Sequence, residues 1–372
     1  MRPLIDIQGS GCMHQVAPEQ YSSLLAEKQE RIEDQFAQFN IGDIDVYVSE
    51  PIHFRQRAEF RIWHEGDSCF HAMFEPGTKT DPIKIEHFPT ASLEICQLMP
   101  KLIEAINAQP ILKHKLFQIE YLNTLSGEML VTLIYHKQLN DEWIAAATSV
   151  KEALGIHLIG RARKMRLLLD QEYVMETLNV DGKALQYQQI EASFTQPNAR
   201  VNEKMLSWAR SCATAGDADL LELYCGNGNF SLALADQYRR VFATEISKTS
   251  VNAANFAKDA NGIENVTFAR VSAEEFTDHM NGVTTRKRLT GLGLEDADFQ
   301  TVLVDPPRAG LDQASCEMIS RYPNIIYISC NPDTLELNLQ QLSATHEVKR
   351  FAMFDQFPYT HHIECGAYLQ AK

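Results

Sequence analysis

From about Phe194 onward, short apolar runs alternate with stretches of helical period: "DLLELYC", "LALADQYRR", "RVFATEIS", "SVNAANFAKDAN", "NVTFARVS", "TVLVDPP", "ASCEMISRYP", "IIYISC" and "DTLELNLQQLSA". That alternation predicts right-handed βαβ crossovers and a parallel, doubly wound α/β sheet, with ligands at the carboxyl ends of its strands. The closing stretch "MFDQFPYTHHIECGAYLQAK" reads as a strand, a break at Pro358 and a returning strand. The first half follows a different rule. An opening helix is predicted from near Pro18, and "FRQRAEFRIW" then alternates, with Phe54, Ala58, Phe60 and Ile62 on one face and Arg55, Arg57 and Arg61 on the other. Two patterns in 372 residues, more than one hydrophobic core usually serves, predict two domains: a β-rich α+β unit over 1–190 and the doubly wound unit over 191–372.

Composition narrows the class. With 22% charged and 45% hydrophobic residues, the chain reads as ordered and globular throughout. Its apolar runs fall far short of the roughly 20 residues of a membrane span. The start, "MRPLIDIQGSGCMHQ", has no continuous apolar core or obvious cleavage site, so a cytoplasmic protein is expected. Eight cysteines include no C-x-x-C pair, so neither a metal site nor an iron–sulfur cluster is expected, and the thiols should be free and mostly buried. A net charge of −15 opposes bulk polyanion binding but leaves room for a local basic face. Arg55, Arg57 and Arg61 form one candidate; Arg161, Arg163, Lys164 and Arg166 in "HLIGRARKMRLLLD" form another. Either cluster alone could be a salt-bridged surface, but two on an acidic chain point to a phosphate-reading face.

The chemistry should sit in the loops that follow strands. In "LLELYCGNGNFSLALA", Gly226 and Gly228 lie between a strand and a helix, where glycine lets a turn tighten and a ligand approach the backbone. Glu245 ends the next strand nineteen positions beyond Gly226, placed to accept both ribose hydroxyls of a nucleoside cofactor. A dinucleotide reading fits G-x-G-x-x-[GA] imperfectly, because Ser231 takes the third position; the stretch better resembles the first motif of S-adenosylmethionine-dependent methyltransferases. "TVLVDPPRAG" then ends a strand at Asp305 with two prolines that force a stiff, open loop. Nucleobase methyltransferases use such a loop beside the base pocket. Cys330 ends the following strand at the same edge, stopped by Asn331 and Pro332. A thiol there has a use: carbon 5 of uracil is too weak a nucleophile for a sulfonium methyl unless a thiolate first adds at carbon 6, and a separate base must later remove the carbon 5 proton. Glu364, in the returning hairpin, is the candidate base.

"ISCNPDTL" and "FDQFPYTHHIE" resemble the two signature segments of the RNA 5-methyluridine methyltransferases. "RAEFRIWH", "HKLFQIEYL", "SFTQPN" and the tail extend the likeness over the whole chain, toward that family's bacterial tRNA (uracil-5-) branch. The resemblance implies that Cys330 is the nucleophile and Glu364 the proton acceptor. It also implies S-adenosyl-L-methionine contacts at Gln196, Tyr224, Gly226, Asn229, Glu245 and Asp305, and RNA contacts at Arg61, Phe117 and His136. The ribosomal-RNA members carry an extra barrel and a cysteine-ligated cluster, for which this chain has neither the length nor the cysteine run. The expected substrate is therefore uridine 54 in the tRNA T-loop, with the similar loop of tmRNA a further target, and the expected state a monomer without membrane attachment. Three alternatives stay open: an exocyclic amino-methyltransferase using only the D-P-P loop, an RNA-binding folding factor, and a nicotinamide oxidoreductase.

Overall fold

In the computed structural model, which describes residues 16–372 apart from 76, 79, 214 and 215, a short 3-10 turn at Pro18–Gln20 leads into α1 (Tyr21–Phe36) and then β1 (Ile44–Tyr47). Cys12 and the opening stretch weighed above as a leader lie outside the described residues. Next come β2 (Arg57–Glu65), β3 (Ser68–Met73), β4 (Ile83–Lys84), α2 (Leu93–Asn107), α3 (Pro110–Lys113), β5 (Leu116–Asn123), β6 (Met129–Tyr135), α4 (Asp141–Leu154), β7 (His157–Ala162) and β8 (Met165–Leu168). These strands form a seven-stranded sheet in the order β4-β3-β2-β5-β6-β7-β8, antiparallel except between β6 and β7, which α4 connects. Strand β2 carries the alternation its sequence predicts: Ala58, Phe60 and Ile62 are buried with Ile95, Met99 and Leu102 of α2 and Trp143 of α4, while Arg61 is exposed on the other face. Ser92 and Asn140 start the two helices by accepting bonds from the backbone N–H groups of Ile95 and Trp143.

A hairpin of β9 (Tyr173–Val180) and β10 (Lys183–Ile190) leads to α5 (Ala199–Cys212), β11 (Asp219–Leu223), α6 (Asn229–Leu234), β12 (Arg240–Thr244), α7 (Lys248–Ala260), β13 (Val266–Ala269) and α8 (Ala273–Met280). The last segment comprises β14 (Phe299–Val304), α9 (Gln313–Ile319), β15 (Asn324–Ser329), α10 (Pro332–Leu342), β16 (His346–Phe354) and β17 (Glu364–Ala371). The second sheet is eight-stranded, in the order β1-β16-β17-β15-β14-β11-β12-β13. From β15 to β13 it is parallel, while β17 runs antiparallel between β15 and β16. Strands β11, β14 and β15 are almost wholly buried, which explains their unbroken apolar runs.

The expected division at residue 190 separates the two sheets but not the chain's first fifty residues. β1 pairs in parallel with β16 at the edge of the second sheet, and Ile32 and Phe36 of α1 join the core beneath it. Four residues are too few for an alternation to declare such a strand, and covering the edge of β16 removes an unpaired ladder from solvent.

The basic clusters also divide differently from their reading as phosphate-binding faces. Glu191, 5% exposed at the junction of the two halves, accepts from Arg161 (2.9 Å), Arg166 (3.2 Å) and the Thr132 hydroxyl (3.3 Å). Arg57 donates to the carbonyls of Glu191 and Ser193 at 3.2 and 3.0 Å. These three arginines fasten the inter-sheet segment because a buried carboxylate needs paired, hydrogen-bonded partners. Arg163 and Lys164 remain exposed in the β7–β8 turn.

Gly366, in the central antiparallel strand, lies under Trp208; a Cβ there would come within 2.6 Å of the indole ring. Gly366→Ala is expected to cost about 1–3 kcal/mol by overpacking, read as a lowered denaturant midpoint with unchanged slope.

Candidate active site

Three strand ends meet at the carboxyl edge of the second sheet. β14 hands on to Asp305, Pro306 and Pro307, β15 to Cys330, and β17 begins at Glu364. Ser329 pairs with Cys365 across the β15–β17 ladder, so the next step of that antiparallel register sets Cys330 opposite Glu364. Asn331 and Pro332 do more than stop the strand: Asn331 is the N-cap of α10, accepting from the Asp333 N–H at 3.2 Å, and Pro332 fills its first turn, where a missing N–H costs nothing. The abrupt change from strand to helix leaves Cys330 half-buried, whereas the other six described cysteines are buried.

Burial sets the electrostatics. It raises both Asp305 and Glu364 above the ordinary carboxyl range, and Asp305 pushes Glu364 further in the same direction. The Cys330 thiol is pushed up to about 12, first by burial, then by the charges of Glu364 and Asp305, with Arg308 opposing. In the free protein the sulfur is therefore held as a thiol at neutral pH. Arg308 also reaches His362, 3.1 Å from guanidinium to imidazole, joining the D-P-P loop to the tail loop that precedes Glu364.

The D-P-P loop is latched from below by a residue that motif reading passed over. Asn338 of α10, 4% exposed, accepts from the Leu311 N–H at 2.9 Å and the Tyr327 hydroxyl at 2.7 Å, and donates to the Leu311 carbonyl at 3.0 Å. The available signal was positional: an asparagine three residues from Leu335 and one from Leu339, on the face that helical period buries.

Along the same edge, Tyr224, Gly226 and Gly228 all have positive φ (64°, 55° and 82°). A Cβ on Gly228 would lie 2.9 Å from Phe268, so both conformation and space demand glycine there. Glu245 receives the N–H groups of Gly226 (3.1 Å) and Ser247 (2.7 Å), which fix its carboxylate at the end of β12. Asn229 is held by a reciprocal amide pair with Asn202, at 2.9 and 3.0 Å. Gln196 lies in the segment between the sheets, two residues from Asn198, whose side chain caps α5 and bonds Ser49 at 2.7 Å. Beneath the loop, Glu222 is raised to about 8, chiefly by burial, and feels both Asp305 and Glu245. A cation bound at this edge would favour the ionised forms of Glu222 and Asp305, whereas a pyrophosphate would oppose them.

The residues implied for RNA contact form a second constellation on the open face of the first sheet. The Arg61 guanidinium sits 3.9 Å from the Phe117 ring centroid, and Phe117 stacks on His136 at 4.0 Å with 26° between planes. Beside them is a groove of about 290 Å³ lined by Ile62, His64, Lys115, Leu116, Phe117 and His136.

Residues 20–372 match the family model described as tRNA (Uracil-5-)-methyltransferase. The chain belongs to that family. Curated tRNA/tmRNA (uracil-C(5))-methyltransferases of Chromohalobacter salexigens and Pseudoalteromonas translucida are 53% and 52% identical to it, covering 96% and 95% of this chain and 97% of each relative. The fold is that of a Pyrococcus abyssi tRNA (uracil-54, C5)-methyltransferase solved with S-adenosyl-L-homocysteine, at a TM-score of 0.72, 20% identity, and coverage of 94% of this chain and 83% of that one. As a member of a methyltransferase family the chain uses S-adenosyl-L-methionine, and its own residues fit that molecule. The glycine loop permits close backbone approach, and the acidic edge suits a sulfonium cation. Among the described residues, no group of three or more His, Cys, Asp or Glu is arranged to hold a metal, and no helix is long and apolar enough to cross a membrane.

The raised thiol gives a measurable consequence. Iodoacetamide modification of Cys330 in the free protein should accelerate roughly tenfold per pH unit up to at least pH 10, because the thiolate fraction keeps rising below a pKa of about 12. Glu364→Gln removes a group whose ionisation disfavours the thiolate and should speed modification at the alkaline end of this range, where the raised carboxyl ionises; peptide mapping after timed labelling measures both. A rate plateau near pH 8 would contradict the assignment.

Proposed function

We propose that this chain transfers a methyl group from S-adenosyl-L-methionine to carbon 5 of uridine 54 in the T-loop of tRNA, and of the equivalent uridine in tmRNA, through a covalent Cys330–uracil adduct. The observation that carries the reading is the β15–β17 register, which brings a thiol and a buried carboxyl to adjacent strand ends beside Asp305. Amino-group methylation would need neither the thiol nor the second carboxyl.

In this scheme Gln196, Tyr224, Gly226, Asn229, Glu245 and Asp305 hold the cofactor, which supplies an electrophilic methyl when bound. Cys330 gives up its proton to solvent and its sulfur forms a bond to carbon 6 of uracil. The ring electrons displaced toward carbon 5 would form the new carbon–methyl bond as the methyl's bond to the sulfonium sulfur breaks, leaving S-adenosyl-L-homocysteine. Glu364 then takes the carbon 5 proton, the double bond re-forms, and the sulfur–carbon bond breaks to return Cys330. Glu364 is suited to that step because burial raises its proton affinity, provided it is ionised when the adduct forms.

The first sheet is the RNA-reading half in this proposal, working beside a catalytic half built on the second sheet. Arg61, Phe117 and His136 form a cation and two stacked rings, a platform on which an unstacked loop base can lie. A monomer carries both faces, and the work is cytoplasmic.

Mixing the protein with S-adenosyl-L-methionine and a T-arm RNA carrying 5-fluorouridine at position 54 should give a denaturation-resistant adduct on Cys330, because fluorine cannot leave as a proton. Methylation of ordinary tRNA without any such adduct would overturn the covalent scheme. Phe117→Ala should raise KM for tRNA by roughly five- to a hundredfold, the equivalent of about 1–3 kcal/mol of base stacking. The KM for S-adenosyl-L-methionine should stay unchanged in the same steady-state assay.

A further inference from the structure

The loop from Asp355 to Ile363 joins β16 to β17 and therefore sets where Glu364 begins. Phe354 pairs with Glu364 across the β16–β17 ladder, so Asp355 is the first residue past the strand partner of the candidate base. Beyond that pair the ladder ends, and other elements must hold the loop. Helix α1, from the far end of the chain, supplies a large part of that support. Lys28 donates to the Asp355 carboxylate at 2.7 Å and to the Phe357 carbonyl at 2.9 Å, and Arg31 donates to the His361 carbonyl at 2.9 Å. Tyr21 shares this face of the helix, packs its ring 6.0 Å from that of Tyr359, and accepts the Ser49 N–H at 2.8 Å. Lys28 and Asp355 are 8% and 2% exposed.

A buried ion pair is a costly way to gain stability, since an apolar pair of similar volume often serves as well. What it supplies here is a fixed position: an ammonium with three directed donors, two of them engaged on one side of the loop. We propose that Lys28, acting through Asp355, is a positioning residue for Glu364, and that α1 is the clamp that sets the proton-removal step. The proposal rests on the covalent reading above.

The nucleophile is supported separately. Cys330 follows a strand hydrogen-bonded on both sides, and the Ser329 hydroxyl accepts from the Asn331 N–H at 3.2 Å. Where α1 and the 3-10 turn after it (Ala37–Phe39) touch the helix after Cys330, they do so through other residues: Gln35 reaches Asp333 (3.1 Å) and Glu336 (3.0 Å), and Gln38 reaches Glu336 (2.8 Å). Loss of the Lys28 contact should displace the base while leaving the thiol in place. Addition and methyl transfer would then proceed, and release would lag.

The experiment uses the full chain with ordinary tRNA and S-adenosyl-L-methionine. Lys28→Met keeps the aliphatic stem and removes the ammonium. Its kcat is expected to fall on the order of a hundredfold, as for a catalytic group displaced by about 1 Å, with KM for tRNA within a factor of about three. A covalent protein–RNA complex, absent or scarce with the native enzyme, should accumulate on denaturing gels, and mass spectrometry should place it on Cys330 carrying the methylated base. Asp355→Asn should behave alike, and the double variant no worse than either single one, since both act on one contact. Gln38→Ala should turn over normally. Native-like kcat in Lys28→Met, or a fall in kcat that tracks lost thermal stability with no complex, would overturn the assignment. Failure of the covalent reading itself is distinguishable, because the native enzyme would then form no adduct with the 5-fluorouridine RNA.

Discussion

A single reversed strand governs this molecule. β17 runs against the direction of its neighbours and is inserted between β15 and β16, so its amino-terminal end meets the carboxyl-terminal end of β15. In a wholly parallel sheet, a carboxyl group at the start of a strand would sit at the opposite edge from a thiol at the end of one. Reversal brings both to the same edge, beside Asp305, and does so through backbone hydrogen bonds rather than flexible side chains. The weakened acidities of Glu364 and Cys330 follow from that placement, because each group is buried within reach of another whose charge would oppose its own ionisation.

The two sheets are joined by a segment with little freedom. Glu191 gathers Arg161, Arg166 and Thr132 from the first sheet, while the Gln56 N–H reaches the Pro197 carbonyl at 2.8 Å. The Asn198 N–H, one residue on, donates to the Gln356 side chain at 3.1 Å. A rigid path therefore leads from the strand carrying Arg61, through the stretch that holds Gln196, to the loop that leads into Glu364. Three of the seven basic residues that drew attention as an RNA surface, Arg57, Arg161 and Arg166, are rivets of this path. Arg61 is different in kind, since its guanidinium covers an aromatic ring instead of a carboxylate.

Much of the architecture was legible because the physics was local. Continuous apolar runs declared β11, β14 and β15, alternation declared β2, and glycines at positive φ marked the loop after β11. The proline after Cys330 announced the end of a strand, though its second use, opening α10, needed the structure. What stayed hidden depended on partners distant in sequence. Arg57, Arg161 and Arg166 read as parts of a phosphate-reading face until Glu191 was seen between them, and nothing in the sequence pairs Lys28 with Asp355, 327 positions away. Glu364 taken alone reads as a surface charge; its burial is a property of the sheet.

The entry of β1 into the second sheet bears on how the protein comes into being. Ile44 pairs with Phe351, and α1 packs on a core completed by β16 and β17, so a segment made about 300 residues earlier must wait for those strands before it can dock there. Such long-range pairing raises contact order and slows folding. The first sheet, whose strands all lie between residues 57 and 168, can form as a unit while synthesis continues. During that interval an amphipathic helix and the strand that will cover the edge of β16 are left without their native partners.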